Sequence, residues 1–332
     1  MGLLTGTLYV TRLVGGAAAV AVGVRRILVL GAALAAVAYA ALAFSTPGSL
    51  TTIVVFWAVA NGLLLSNLYP LAAELLAEAR PMTLAALFSI VSVAIQVGSF
   101  SGPLITGLLR QVSITACLLF AAMVMALAAG ALTLLLVLDR EPIAPVPVVP
   151  RPALAVLLLA AVLLPHYLIS NLPESSTISS SMTSVAMRIG AEARARLLVI
   201  VTIIALAARG SRVPLLIPLG VGLLVSALGG ALSFVGVDSV AGIVSGTGEQ
   251  LAEPMALALI AFVVPRRYAP GVFALWLTLR FLVTRLAMMG SDVPPGWVIA
   301  VGTIGCVAFG AALLLRGRAI AAGHFNAPVA AA

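Results

Sequence analysis

Charge is what this sequence has least of. Of its 332 residues only 8% are Asp, Glu, Lys or Arg, while 63% are hydrophobic and the mean hydropathy is +1.23. So few polar residues cannot cover a water-exposed surface, which excludes a soluble globular domain. Aromatics are scarce as well, at 6%. The apolar bulk is therefore Ala, Leu, Val and Ile, the mixture of closely packed transmembrane helices. The two cysteines, Cys117 and Cys306, lie far apart in apolar runs; they offer no disulfide framework or metal set and read as packing residues. No phosphate-cradling glycine loop, metal-ligand cluster or nucleophile–histidine–acid set is visible. An ATP-driven pump, a membrane hydrolase and a bound cofactor are accordingly not expected. The N-terminus has no basic n-region, and its first apolar stretch continues past Arg12 as a full span, so no cleavable signal is read there.

What is present is a succession of apolar runs. A hydrocarbon core of about 30 Å takes about 20 helical residues. By that ruler spans fall near 2–22, 27–44, 50–73, 82–108, 113–138, 153–173, 194–208, 213–235, 240–264, 271–289 and 296–315, eleven in all. The fold class is all-α, a polytopic cell-membrane protein. The segment DREPIAPVPVVPRP, residues 139–152, carries Pro142, Pro145, Pro147, Pro150 and Pro152 among four charges, which forbids a continuous helix. It reads as a cytoplasmic linker between a five-helix bundle, 1–138, and a six-helix bundle, 153–316, with a tail at 317–332. A second polar stretch, PESSTISSSMTS (173–184), is either a loop or the polar end of a cavity-lining helix.

The net charge of +8 is not a nucleic-acid footprint, because the arginines fall singly or in pairs between spans. Arg25, Arg26, Arg80, Arg140, Arg151, Arg209, Arg212, Arg266, Arg267, Arg316 and Arg318 share one side, eleven against the four of Arg110, Arg188, Arg194 and Arg196. Positive loops stay cytoplasmic, which puts the N-terminus outside and the C-terminus inside.

Ionisable groups inside spans stand out against this background. Glu249 lies nine residues into its span from Val240, about 14 Å deep, and Glu253 follows one turn later on the same face. Holding a carboxylate there costs on the order of 3 kcal/mol, so it needs a partner or a wet cavity. Pro254 removes the hydrogen bond to the carbonyl of Gln250, leaving an acceptor beside both acids. Arg280 sits nine residues in from Gly271, at the same depth as Glu249, so the two are expected to be neighbours facing a cavity between the bundles. The cluster reads either as a proton or cation site or as an ion pair that only fixes packing. Arg12 is a second candidate cation or a snorkelling residue, and Arg285 is an anchor. His166, behind Pro165, reads as a proton relay or, more simply, a hydrogen-bonded core histidine, and stays outside the candidate set. Trp276 shares Arg280's face one turn away.

Several strings resemble the proton-coupled oligopeptide transporter family of the major facilitator superfamily. SGTGEQLAEPMALALIAFVVPRRYAPG, from Ser245 to Gly271, is similar to the family's glutamate, a proline five residues on, a proline-and-basic loop and a tryptophan in the next span. These stand here as Glu249, Pro254, Pro265 to Pro270, and Trp276. ANGLLLSN resembles its fourth helix ending in asparagine, here Asn67. AIQVGSFSGPLITG resembles its fifth, with Gln96 in place of asparagine, and LYVTRLVGG before Arg25 and Arg26 resembles its second. The resemblance implies two helical bundles and secondary active transport of small peptides or a related organic solute by alternating access, coupled to a proton, within the lipid bilayer. It adds Asn67, Gln96, Trp276 and Glu174, the last from the serine-rich stretch, to the solute or proton site read above from Glu249, Glu253, Arg280 and Arg12; at Arg280 the family has a small residue. The pattern departs from the family where its first helix, with a glutamate–arginine motif, precedes the match, where its fourth-helix lysine falls on Leu65 and its tyrosine on Ser92, and where its loop latch falls near Val20 and Ala21. The alternative expectation is a transporter-like sensor or scaffold that moves nothing.

Overall fold

The computed structural model describes residues 2–75, 81–138, 152–169, 195, 197–209, 214–288 and 295–320. The expected linker up to residue 151, the serine-rich stretch with Glu174, and the tail from residue 321 lie outside them. All regular structure among the described residues is helical. In a bilayer no water is available to backbone amides, and a helix satisfies them within one segment. The helices are α1 (Gly2–Val22), α2 (Val24–Ala43), α3 (Leu50–Leu65), α4 (Leu68–Leu75), α5 (Pro81–Val112) and α6 (Ile114–Leu138). After these come α7 (Pro152–Ile169), a short α8 (Leu197–Ala208), α9 (Leu216–Phe234), α10 (Asp238–Val263), α11 (Ala269–Met288) and α12 (Gly296–Ile320). Among the described residues five segments are long and apolar enough to cross a membrane: Val24–Ala43, Leu50–Leu75, Ile114–Val137, Leu216–Phe234 and Gly296–Arg316. The chain is a multi-pass membrane protein.

The expected span at 50–73 lies within Leu50–Leu75 but is interrupted. Residues 50–73 form not one helix but α3 and α4, broken at Ser66–Asn67. Pro70 has no N–H to offer the carbonyl of Ser66 four residues back, and the Asn67 amide turns to the carbonyl of Leu64, at 3.2 Å, in a tightened turn. Fully buried, the Asn67 side chain then donates through Nδ2 to the carbonyl of Leu63 at 2.9 Å, to Ser66 Oγ at 2.9 Å and to the carbonyl of Gly15 on α1 at 3.4 Å.

The described chain forms two compact units. The first joins Met1–Ala77, Val91–Val146 and Arg266–Thr278; the second joins Glu78–Ile90, Pro147–Pro265 and Leu279–Ala332. In the first unit α1 packs on α3, and α2 on α3 and α6. Ala19, Ile27 and Leu63 form a buried cluster to which Val24, Leu34 and Val59 add. Arg25 at the start of α2 meets Glu74 of α4 at 3.5 Å. Leu119, Met123, Leu127 and Leu134 of α6 stay exposed, as side chains facing lipid tails do.

The second unit is built on α9, which packs against both α10 and α12, while α7 lies on α12. Glycines allow the close approach. A Cβ on Gly229 would stand 2.7 Å from the backbone nitrogen of Ser245 in α10, and one on Gly222 would stand 2.8 Å from that of Ala252. On the other side, a Cβ on Gly302 of α12 would stand 2.9 Å from the carbonyl of Pro165, so the proline of α7 is seated against a smooth strip of α12.

Candidate functional site

The site belongs to the second unit and is assembled from α7, α10 and the C-terminal part of α11. Glu249 stands eleven residues into α10, and Arg280 eleven residues into α11, each about 16 Å from its helix start. One guanidinium serves two acids: Arg280 Nη2 donates to Glu249 Oε1, and Nη1 to Glu253 Oε1. The pairing follows from the sequence, because Glu249 and Glu253 are one helical turn apart and present a pair of carboxylates to the two-pronged fork of an arginine. Of the three side chains Glu253 is the most enclosed, at 4% exposure; Glu249 keeps 13% and Arg280 29%, so the open side of the cluster is at Arg280 and Glu249.

The last turn of α7 closes over the arginine. The Tyr167 ring lies 5.7 Å from Arg280 Cζ, within cation–π range. Ser245, one turn before Glu249, fixes this geometry by donating from Oγ to the carbonyl of Ile169 at 3.2 Å, which ties the end of α7 to α10. Pro254 stays inside α10 without ending it, and the carbonyl of Gln250 that it leaves without a helical partner lies between the two acids in sequence. The side chain of Gln250 is buried, and its Oε1 finds no partner among the described residues.

Counting formal charges, two carboxylates against one guanidinium leave one negative charge on the trio. Such a cluster is suited to take one further positive charge, whether a proton or the ammonium group of a solute. No group of three or more His, Cys, Asp or Glu side chains placed to hold a metal occurs among the described residues.

The remaining expected residues lie elsewhere. Asn67 is in the first unit, where it secures the α3–α4 break and α1. Arg12, also in the first unit, lies over the Tyr9 ring at 4.8 Å. Trp276 is buried on α11 in the stretch assigned to the first unit, four residues before Arg280. Gln96 is on α5 with its side chain outside the described set, and Glu174 lies outside the described residues. The Tyr69 hydroxyl of α4 lies 3.4 Å from Ser92 Oγ of α5. Tyr167 was not legible as a site residue, since a single tyrosine at the end of an apolar run gives no periodic signal.

No family model and no curated protein sequence matches the chain. Solved structures do. A proton:xylose symporter of the major facilitator superfamily, XylE bound to 6-bromo-6-deoxy-D-glucose, aligns with a TM-score of 0.67 at 13% identity, covering 94% of this chain and 85% of that one. A bacterial homologue of the iron transporter ferroportin, in an outward-facing state, gives 0.63 at 14% identity, covering 95% and 91%. A variant of the E. coli fucose:proton symporter FucP gives 0.64 at 12%, covering 93% and 90%. The fold is that of the major facilitator superfamily.

Proposed function

We propose that the chain is a secondary transporter that moves a small organic solute across the membrane by alternating access, with Glu249 holding either a coupling proton or the solute's cationic group. The observation that carries this reading is the unequal formal charge of the cluster, set about halfway along α10 and α11. A purely structural clamp needs one acid for one arginine, and a second intramembrane carboxylate adds desolvation cost without a second cation. A site that must alternately accept and release a positive charge needs that surplus acid.

Two lines support the class of cargo. The similar structures include two proton symporters of sugars, which favours a small organic solute with a proton. The strings around Glu249, Asn67 and Gln96 resemble the oligopeptide transporters, which favours a small peptide whose amino terminus the surplus carboxylate would receive. Arg280, where the family's fourth-helix lysine is replaced by Leu65, then supplies the positive charge facing the peptide's carboxylate.

A second reading, a sensor or scaffold of transporter fold, draws on one observation: Arg280 is already held by both acids, as in a locked ion cluster. Purified protein in liposomes separates the two. With an inward proton gradient, wild-type vesicles should accumulate at least one member of a panel of di- and tripeptides, pentoses and hexoses above protein-free vesicles. Accumulation of none, in vesicles whose protein is folded and correctly inserted, favours the scaffold.

A further inference from the structure

Arg280 keeps 29% of its side chain exposed, the most of the three ionic groups, and its long stem gives the guanidinium many orientations. Two prongs to two acids hold it while both are anionic. When Glu249 takes up a proton or a solute's cation, as proposed for this site, the donation from Nη2 weakens and the hold of Nη1 on Glu253 remains. A single charged contact sets a distance without fixing the plane of a guanidinium. A contact of another kind is then needed to keep the arginine in place through the exchange.

The Tyr167 ring has the position and the chemistry for it. Arg280 Cζ stands over its face, 5.7 Å from the centroid, while the edge of the guanidinium carries the donors to the acids. An aromatic face attracts the arginine without adding a charge, so the surplus of the cluster stays at one; a third carboxylate in its place would compete for the proton or the solute's cation. At 2% exposure the ring is withdrawn from the open side of the site, and desolvation strengthens its attraction for the arginine. It is also held from behind. The fully buried His166 ring lies beside it, centroids 5.6 Å apart, and the donation from Ser245 Oγ to the carbonyl of Ile169, at 3.2 Å, ties down the turn that carries both. Pro165, one residue before His166, sits against α12, where a Cβ on Gly305 would stand 2.6 Å from the Cβ and Cγ of the proline.

We propose that Tyr167 is the positioning residue of this site: its ring face holds the Arg280 guanidinium against Glu253 while Glu249 is neutralised by a proton or by the solute. The arginine then neither follows the exchanged charge nor swings out through the open side, and it stays aligned to receive a solute carboxylate. Tyr167 acts through Arg280 and touches no solute itself. The role during exchange rests on the reading of Glu249 given above; the contact between ring and guanidinium does not.

Fluorination tests the contact while nearly preserving its shape. In the full-length protein in nanodiscs, Tyr167→Phe is compared with phenylalanine carrying one, two and three ring fluorines at the same position, each fluorine drawing charge off the ring face. The thermal unfolding midpoint should fall stepwise along the series, by about 2 °C or more in total, and the series should be flat in the Arg280→Gln protein. With Glu249→Gln, which mimics the protonated acid, one anion fewer shares the guanidinium, and the fall should be at least as steep. A series that is flat beside an intact Arg280, or as steep without it, overturns the contact; a fall that vanishes with Glu249→Gln overturns the role during exchange. Should Arg280→Gln be too unstable to scan, Arg280→Gln/Glu249→Gln/Glu253→Gln replaces it as the reference, with the same flat series expected. None of these measurements needs uptake. Vesicles that accumulate nothing would therefore sink the reading of Glu249, whereas the ring contact stands or falls on the series.

Discussion

Arg280 holds two carboxylates with one guanidinium, so the three side chains are not energetically independent. Removing the arginine alone strands two acids a single turn apart, whereas removing all three charges strands none. Breaking one partner of a buried ionic group costs roughly 3–5 kcal/mol, while replacing the whole group with neutral side chains is often close to neutral. Arg280→Gln should therefore lower the unfolding midpoint in detergent clearly, and the triple variant Arg280→Gln/Glu249→Gln/Glu253→Gln should recover most of the loss. A triple variant no more stable than the single one would show that the three do not act as a unit. This trio was legible in the sequence, since charge inside an apolar run is conspicuous and helical spacing gives depth by counting. What could not be read was that Arg280 would serve both acids, because side-chain reach across helices depends on how α10 and α11 are brought together.

At the scale of elements, helices declare themselves by apolar length and their breaks do not. A hydropathy window averages over Ser66 and Asn67, so the α3–α4 interruption was hidden although Pro70, its cause, was in plain view. The tight crossing of α9 on α10 was equally silent, because a glycine in an apolar run marks close approach only once its neighbour is known. That crossing gives a direct test. A Cβ at Gly229 would come within 2.7 Å of the Ser245 backbone nitrogen and 2.9 Å of the Ala241 carbonyl, where nothing flexible can yield. Gly229→Ala should therefore destabilise by about 1–3 kcal/mol in denaturant unfolding from micelles. Gly130→Ala on α6, whose new Cβ meets nothing within 4 Å, should be neutral or gain up to about 1 kcal/mol from the lower chain entropy of alanine. Equal effects at the two sites would contradict the packing described for the second unit.

At the scale of the whole molecule, composition alone specifies a multi-pass helical membrane protein, and the fold is like that of solved major facilitator transporters. Orientation rests on the arginine asymmetry and predicts an external N-terminus. With Cys117 and Cys306 replaced by serine, a cysteine added at the N-terminus should react with a membrane-impermeant maleimide on intact cells; protection until the membrane is opened would reverse the assignment. The grouping of residues into units was less legible, because α5 and α11 each divide between the two, and contacts of that kind have no trace in a one-dimensional pattern. The proposed function rests on the surplus negative charge of the Glu249–Arg280–Glu253 cluster, so the decisive measurement is gradient-driven accumulation by vesicles carrying Glu249→Gln. That substitution keeps size and hydrogen-bonding capacity while removing the charge. With the solute that wild-type vesicles accumulate, Glu249→Gln vesicles of equal protein content should lose proton-driven accumulation. Equal accumulation by both under the same pH gradient would contradict the account.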